Sequence, residues 1–180
     1  MPYIGHSLIK STGTPYITNY LKSDHHAGTQ NWGIASDQNG FIYFANNDGL
    51  LSFDGTHWEI TEISNFSALR SICIDKKNTI YVGTSNDFGF ISKPLIGEQK
   101  YVSLRHLLPP DIGDFAEIWR IFDTPFGIIF QSYSYLFILK DESIEVIKPN
   151  HKFQFAFSFN DRLFITEPGY GLYEYYKGSL

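Results

Sequence analysis

A single cysteine and a single methionine stand in a chain of 180 residues. One cysteine excludes an internal disulfide and any zinc site built on paired cysteines. Cys73 lies in the apolar run SICID, where a small buried thiol is expected rather than a reactive one. Long hydrophobic runs are also missing: no stretch reaches the roughly 18 to 20 consecutive apolar residues of a membrane-spanning helix. The opening residues MPYIGHSLIK set no basic start before an apolar segment, so no secretory leader is visible there. Positive charge is scarce and scattered. The 14 Lys and Arg against 19 Asp and Glu leave a formal charge of −5. That balance argues against nucleic acid as a partner of this segment, because such binding draws on basic groups meeting phosphates.

What is abundant is aromatic. Phe contributes 16 residues and Tyr 12, and hydrophobic residues make up 43% of the chain. The balance is that of a globular protein, and the aromatic excess favours strands over helices. Residues 31–60, NWGIASDQNGFIYFANNDGLLSFDGTHWEI, alternate apolar and polar in short bursts that end in Gly, Asn or Asp. Such a pattern predicts four short antiparallel strands joined by tight turns.

The same order returns along the chain. Residues 69–92 repeat it at an offset of 38, with Ile72 on Ile34, Asp75 on Asp37 and IYVG on IYFA. Residues 119–139 repeat it at an offset of 87, with Trp119 on Trp32 and Gly127 on Gly40. A weaker copy begins at 153, where GYGLYEY answers NDGLLSF. Four-stranded units at this spacing predict an all-β fold, a β-propeller of antiparallel blades at about 31–60, 68–104, 118–148 and 153–180. Residues 1–30 form a polar lead-in with one strand expected at PYITNYL. Pro109-Pro110 followed by Asp111, Asp114 and Glu117 predicts a short helical insert at about 109–117. Four-bladed rings lie at the low end of the range and an unclosed set exposes its terminal blades, so this stretch is expected to be the first part of a larger propeller, or to pair with a copy of itself.

Catalytic signatures are sparse. His25-His26 is the only adjacent histidine pair, and no second ligand pair follows at a recognised spacing, so no metal site is expected. Asp111, Asp114 and Glu117 read as a helix first turn rather than as an acid/base pair. Asp37, Asp75 and Asp123 recur with the repeat, which points to capping the turn after each first strand. The sialidase-type turn S-x-D-x-G-x-T-W is not met, since Ser36 directly precedes Asp37 and Gly40 lies three residues on. No nucleophile elbow or phosphate loop occurs. Asn65-Phe66-Ser67 fits a glycosylation sequon, a short pattern that arises by chance.

One position has functional promise. Trp32, Arg70, Trp119 and Phe153 open the first strands of the four copies. First strands lie nearest a propeller axis, so these side chains are candidates to gather around one mouth, where aromatics and an Arg stack on sugar faces and bind hydroxyls or a carboxylate. Ordinary packing between blades is the competing expectation. Tyr133 and Tyr170 are further ligand-binding candidates on second-turn loops, together with Asn47, Asp48, Asn86 and Asp87, which also suit plain turn formation.

The unit D-x-x-G-x-I-Y-F-A-N-N-x-G-L-L-x-F-D-G at 37–55 resembles the two-component-regulator propeller repeat, and the lead-in GTPYITNY resembles the start of such a sensor. That repeat builds the periplasmic sensor regions of bacterial hybrid histidine kinases and triple-tyrosine regulators. The resemblance is good over 15–92 and thins beyond. Blade three replaces the NNxGL turn by YSYL, and blade four lacks the Asp before its first turn. It implies a non-enzymatic, periplasmic sensor segment of a membrane-anchored parent. The implied ligand is an oligosaccharide or another small molecule, without a cofactor, and the implied partners are remaining blades, downstream domains and a homodimeric copy. A polysaccharide lyase or glycosidase, and a protein-interaction scaffold, are the alternatives.

Overall fold

The structure, a computed structural model, describes residues 13, 17–63, 67–93 and 98–180. Its strands form three four-stranded antiparallel sheets and one three-stranded sheet, each in sequence order. Blade one holds β1 (Asn31–Ser36), β2 (Ile42–Asn46), β3 (Gly49–Phe53) and β4 (Trp58–Thr61). Blade two holds β5 (Ser71–Ile74), β6 (Ile80–Gly83), β7 (Phe88–Ser92) and β8 (Lys100–Ser103). Blade three holds β9 (Arg120–Thr124), β10 (Gly127–Gln131), β11 (Leu136–Lys140) and β12 (Ser143–Ile147). Blade four holds β13 (Ala156–Phe159), β14 (Arg162–Glu167) and β15 (Gly171–Tyr175), and Tyr176 and Ser179 form a small bridge after it.

The turns follow the recurrent residues, with one correction. Asp37 Oδ1 accepts the Asn39 and Phe41 amides at 2.9 and 3.0 Å, and Asp75 Oδ1 accepts those of Lys77 and Thr79 at 2.9 and 2.8 Å. Asp123 does not do this. It is a strand residue paired with Ile128. Thr124 takes the turn position, its Oγ1 accepting the Phe126 amide at 3.2 Å and donating to the Gly127 carbonyl at 2.8 Å. Gly49 and Gly171 open the third strands of blades one and four at φ of 133° and 132°, a backbone region that favours glycine.

The three interfaces between successive blades share one scheme. Leu69, Ile118 and Phe153, each at most 2% exposed, donate their amides to Asn46, Thr84 and Tyr133 carbonyls of the preceding blade at 3.1, 3.0 and 2.9 Å. Aliphatic and aromatic residues fill the space behind each latch, such as Tyr43, Ile80 and Val82, then Phe88, Phe130 and Phe137, then Ile129, Leu163 and Ile165. Gly83 marks a close approach, since a side chain there would meet Ser71 Oγ and Ile118 Cβ at 2.5 and 2.6 Å.

The flanking segments differ from expectation. Residues 17–21 form no strand, and only α1 (Lys22–His25) is regular. Tyr20 instead packs edge-on against Phe53 and Trp58 at 5.1 and 5.3 Å, so the lead-in rests on that end of blade one. The helical insert expected at 109–117 is absent. A 3-10 turn forms earlier, at Arg105–Leu107, and Pro109 closes a turn onto the Ile112 amide. Phe115 and Ile118 are drawn, fully buried, into the core between blades two and three, and burying them outweighs the helix preference of the acids. Asp111, Asp114 and Glu117 therefore share no helical face. The sequon at 65–67 falls largely outside the described residues.

Among the described residues nothing packs on the outer face of blade four. Phe157 pairs with Phe164 as Phe122 pairs with Ile129 and Cys73 with Tyr81. In blades two and three that face is packed against the next blade. Here Phe155, Phe157, Phe159 and Leu172 are 63%, 45%, 65% and 58% exposed. The Arg162–Glu174 ion pair, at 2.7 Å, adjoins them.

Buried protons set the alkaline behaviour. Burial pushes the Cys73 thiol up to about 11 from an ordinary 9.0. Burial, aided by carboxylates such as Asp37 and Glu145, raises the Tyr43, Tyr81, Tyr101 and Tyr175 phenols above 10.0. Each of these groups holds its proton more tightly folded than unfolded, so stability falls as pH rises from about 9 through 11. Lys93, lowered by burial against the pull of Asp37, acts with the opposite sign, one group against five. Denaturant midpoints are expected to fall between about pH 8 and pH 10.5, and an unchanged midpoint contradicts this account.

Candidate ligand-binding site at the mouth of the first strands

The first strands β1, β5, β9 and β13 adjoin one another in order. Arg70, Trp119 and Gln154 donate their amides to Gly83, Gln131 and Thr166 carbonyls at 2.8, 2.8 and 2.9 Å, which fixes them as equivalent strand-opening residues. Gln154 therefore holds the fourth position. Phe153, expected there, is the buried latch residue one step earlier.

Four of the five candidate residues come together. The Arg70 guanidinium lies over the Trp32 ring with Cζ 4.2 Å from its centroid. Trp32 meets Trp119 edge to face at 6.1 Å, and Trp119 meets Tyr133 at 5.8 Å. Asn47, a turn residue, holds Trp32 by accepting its indole N–H at 2.8 Å. The packing expectation is thus partly met as well, because these side chains hold one another. Tyr170 is the exception. The Glu167–Tyr170 turn directs it onto His151, stacked at 3.5 Å and 12°, and it does not line the mouth. His151 in turn faces the buried Glu167 carboxylate at 3.4 Å.

These residues enclose a cavity of about 190 Å³ whose walls also include Arg120, Gln131, Gln154 and Phe155. A second hollow of about 370 Å³ shares Trp32, Arg70, Trp119 and Arg120 and runs along Ile34, Ile72 and Phe122. Larger grooves lie elsewhere, one of about 550 Å³ beside β4 and β8 and an apolar one of about 530 Å³ between blades two and three. The mouth is distinguished by its chemistry. Three of the lining residues carry a buried polar atom without a hydrogen-bond partner among the described residues: Arg70 Nε, Trp119 Nε1 and Gln131 Oε1. Each such group costs about 1–3 kcal/mol.

Gln131 was not foreseen from the sequence. It is fully buried, and its Nε2 donates to Ser132 and Gln154 carbonyls at 2.8 and 3.4 Å, which aligns the amide. It occupies the position held by Ala45 and Gly83 in blades one and two, each at the close of a second strand. A large amide in a slot otherwise kept small was the signal available.

The histidine pair has local structural work. His25 Nδ1 accepts the Ala27 amide at 3.1 Å, and His26 ends α1 in the left-handed region at φ 54°. No cluster of three or more His, Cys, Asp or Glu suited to a metal occurs among the described residues. Asn86 receives Arg105 Nη1 at 2.7 Å, and Asp87 receives Ser103 Oγ at 2.7 Å, so both tie their turn to the end of β8 and the segment after it. Among the described residues no helix is long and apolar enough to cross a membrane.

The blades define a β-propeller architecture, and solved structures agree. The WD40 β-propeller domain of Doa1 matches with a TM-score of 0.57 at 18% identity over 82% of this chain. This chain spans about half of that one, 52%. No family model matches the sequence, and no curated protein matches it.

Proposed function

We propose that this chain is a non-enzymatic, ligand-binding stretch of a sensor propeller, and that its ligand, a small glycan-derived molecule, sits in the mouth between Trp32 and Trp119. The observation that carries the reading is that Arg70, Trp119 and Gln131, which line one aromatic hollow, each hold a buried polar atom without a partner among the described residues. Aromatic faces beside fixed polar groups are what a sugar ring requires, an apolar platform with hydrogen bonds at its rim. Among the described residues the walls carry no carboxylate, histidine or cysteine, and a lone Tyr133 hydroxyl does not make an acid and base pair, which supports binding over hydrolysis. A titration of intrinsic tryptophan fluorescence with mono- and oligosaccharides tests this. A saturable change is expected, reduced by Gln131→Leu, and the absence of any response at millimolar sugar contradicts it.

The wider setting belongs to the same proposal. The 37–55 resemblance supports an extracytoplasmic sensor of a two-component or transcriptional regulator, with output domains in the parent protein. The bare aromatic face of blade four supports further blades packed there, following the three interfaces already present. An interaction scaffold is the second reading, favoured by that same exposed face. The gene's reading frame separates them: kinase or DNA-binding segments are expected in it, and their absence counts against the sensor.

A further inference from the structure

Resting on the mouth being a binding site, the side chains around it narrow the class of ligand. Two arginines, Arg70 and Arg120, line the cavity, and no Asp or Glu does among the described residues. Neither arginine enters an ion pair among the described residues. In a chain of net charge −5, two uncompensated cations at one hollow form a local field for an anion.

The donors point the same way. Arg70 lies over the Trp32 ring with Cζ 4.2 Å from its centroid, and its Nε is buried without a partner among the described residues. Trp119 Nε1 is a second buried donor and has no capacity to accept. Two donors beside fixed positive charge suit a carboxylate. Gln131 Oε1, by contrast, is a buried acceptor and needs a donor such as a hydroxyl. The size, about 190 Å³, lies below the roughly 300–1,000 Å³ of drug-sized pockets, so one ring is accommodated.

We infer that the mouth binds a single-ring hydroxylated carboxylate, a uronic acid in chemical class, with its carboxylate toward Arg70 and Trp119 and a hydroxyl toward Gln131. Neutral and cationic sugars bind weakly by the same logic, since a site built around a charged partner leaves its own buried groups unpaired with the wrong ligand.

Isothermal titration of the full chain with glucuronate, glucose and glucosamine tests this at low ionic strength. Glucuronate is expected to bind at least ten-fold more tightly than glucose, and glucosamine more weakly still. Arg70→Gln is expected to weaken glucuronate about ten- to a hundred-fold while changing glucose little. Arg70→Lys is expected to restore part of the loss, because the charge returns without the planar fork. Thermal melts verify that each variant folds, and Gln131→Leu gives a second, shape-preserving probe of the same cavity. Equal affinity for glucose and glucuronate, both weakened by Gln131→Leu, overturns the anionic assignment and leaves the mouth as a sugar site. Binding of glucuronate indifferent to Arg70 and Gln131 overturns the assignment of the anion to this mouth. No binding of any of the three overturns this inference and the mouth as a sugar site together.

Discussion

Phe88→Ala is expected to lower the free energy of unfolding by about 3–5 kcal/mol, a large share of the roughly 5–15 kcal/mol by which domains are stable. Phe88 is fully buried at the head of β7 and meets Phe130 and Phe137 with ring centroids 4.4 and 4.9 Å apart. Its partners belong to β10 and β11, so the ring joins blade two to blade three rather than stabilising its own sheet. Truncation removes the transfer energy of the ring and leaves a void between two rigid sheets with little freedom to collapse. Urea denaturation followed by fluorescence measures it. A loss below about 1 kcal/mol contradicts the inter-blade packing.

Asp37→Ala is expected to cost about 2–4 kcal/mol. One carboxylate oxygen accepts two turn amides, and the other accepts the Tyr43 hydroxyl at 3.2 Å. Lys93 Nζ lies 3.9 Å from that second oxygen and itself donates to Tyr43 Oη at 2.8 Å. The Asp37 side chain is 1% exposed, so deletion strands a buried phenol and a half-buried ammonium together. Asp37→Asn keeps an acceptor for the turn amides and is expected to lose roughly half as much. The matched changes in blade three separate position from residue type. Thr124→Ala is expected to cost about 1 kcal/mol through its turn bond, and Asp123→Ala less than about 0.5 kcal/mol as an exposed strand residue. Equal costs at Asp37 and Asp123 contradict the turn assignment.

That pair shows how the sequence was legible and where it was not. Strand–turn–strand units are local, so alternation and turn residues placed every blade near its true bounds. The Asp series misled at its third member because Pro125-Phe126 make a shorter turn than residues 37–41. The strand before the turn keeps the offset of 87, which sets Thr124 rather than Asp123 on Asp37. The insert at 109–117 was misread because its first-turn acids favour a helix locally. Phe115 and Ile118 gain more by entering a core assembled from another blade. No local pattern records that competition.

The site was half legible. Trp32, Arg70 and Trp119 follow from strand order, because first strands converge whatever the turns do. Phe153 was one residue out, since the fourth copy carries its latch and its mouth residue as Phe153 and Gln154. Tyr170 failed because the blade-four turn sends it to His151. Gln131 and Arg120 were missed for a different reason. A polar residue on a strand reads as solvent-facing, and only the neighbouring blades turn that face inward. Comparing the copies position by position exposes Gln131 where Ala45 and Gly83 stand.

A crystal structure of the chain grown with saturating glucuronate tests the central claim most directly. The account predicts density for one ring within the Trp32–Trp119 hollow, its carboxylate within hydrogen-bond distance of Arg70 and a hydroxyl on Gln131 Oε1. A ring seated in the apolar groove between blades two and three, or a mouth closed by its own side chains with no room for a ligand, contradicts it.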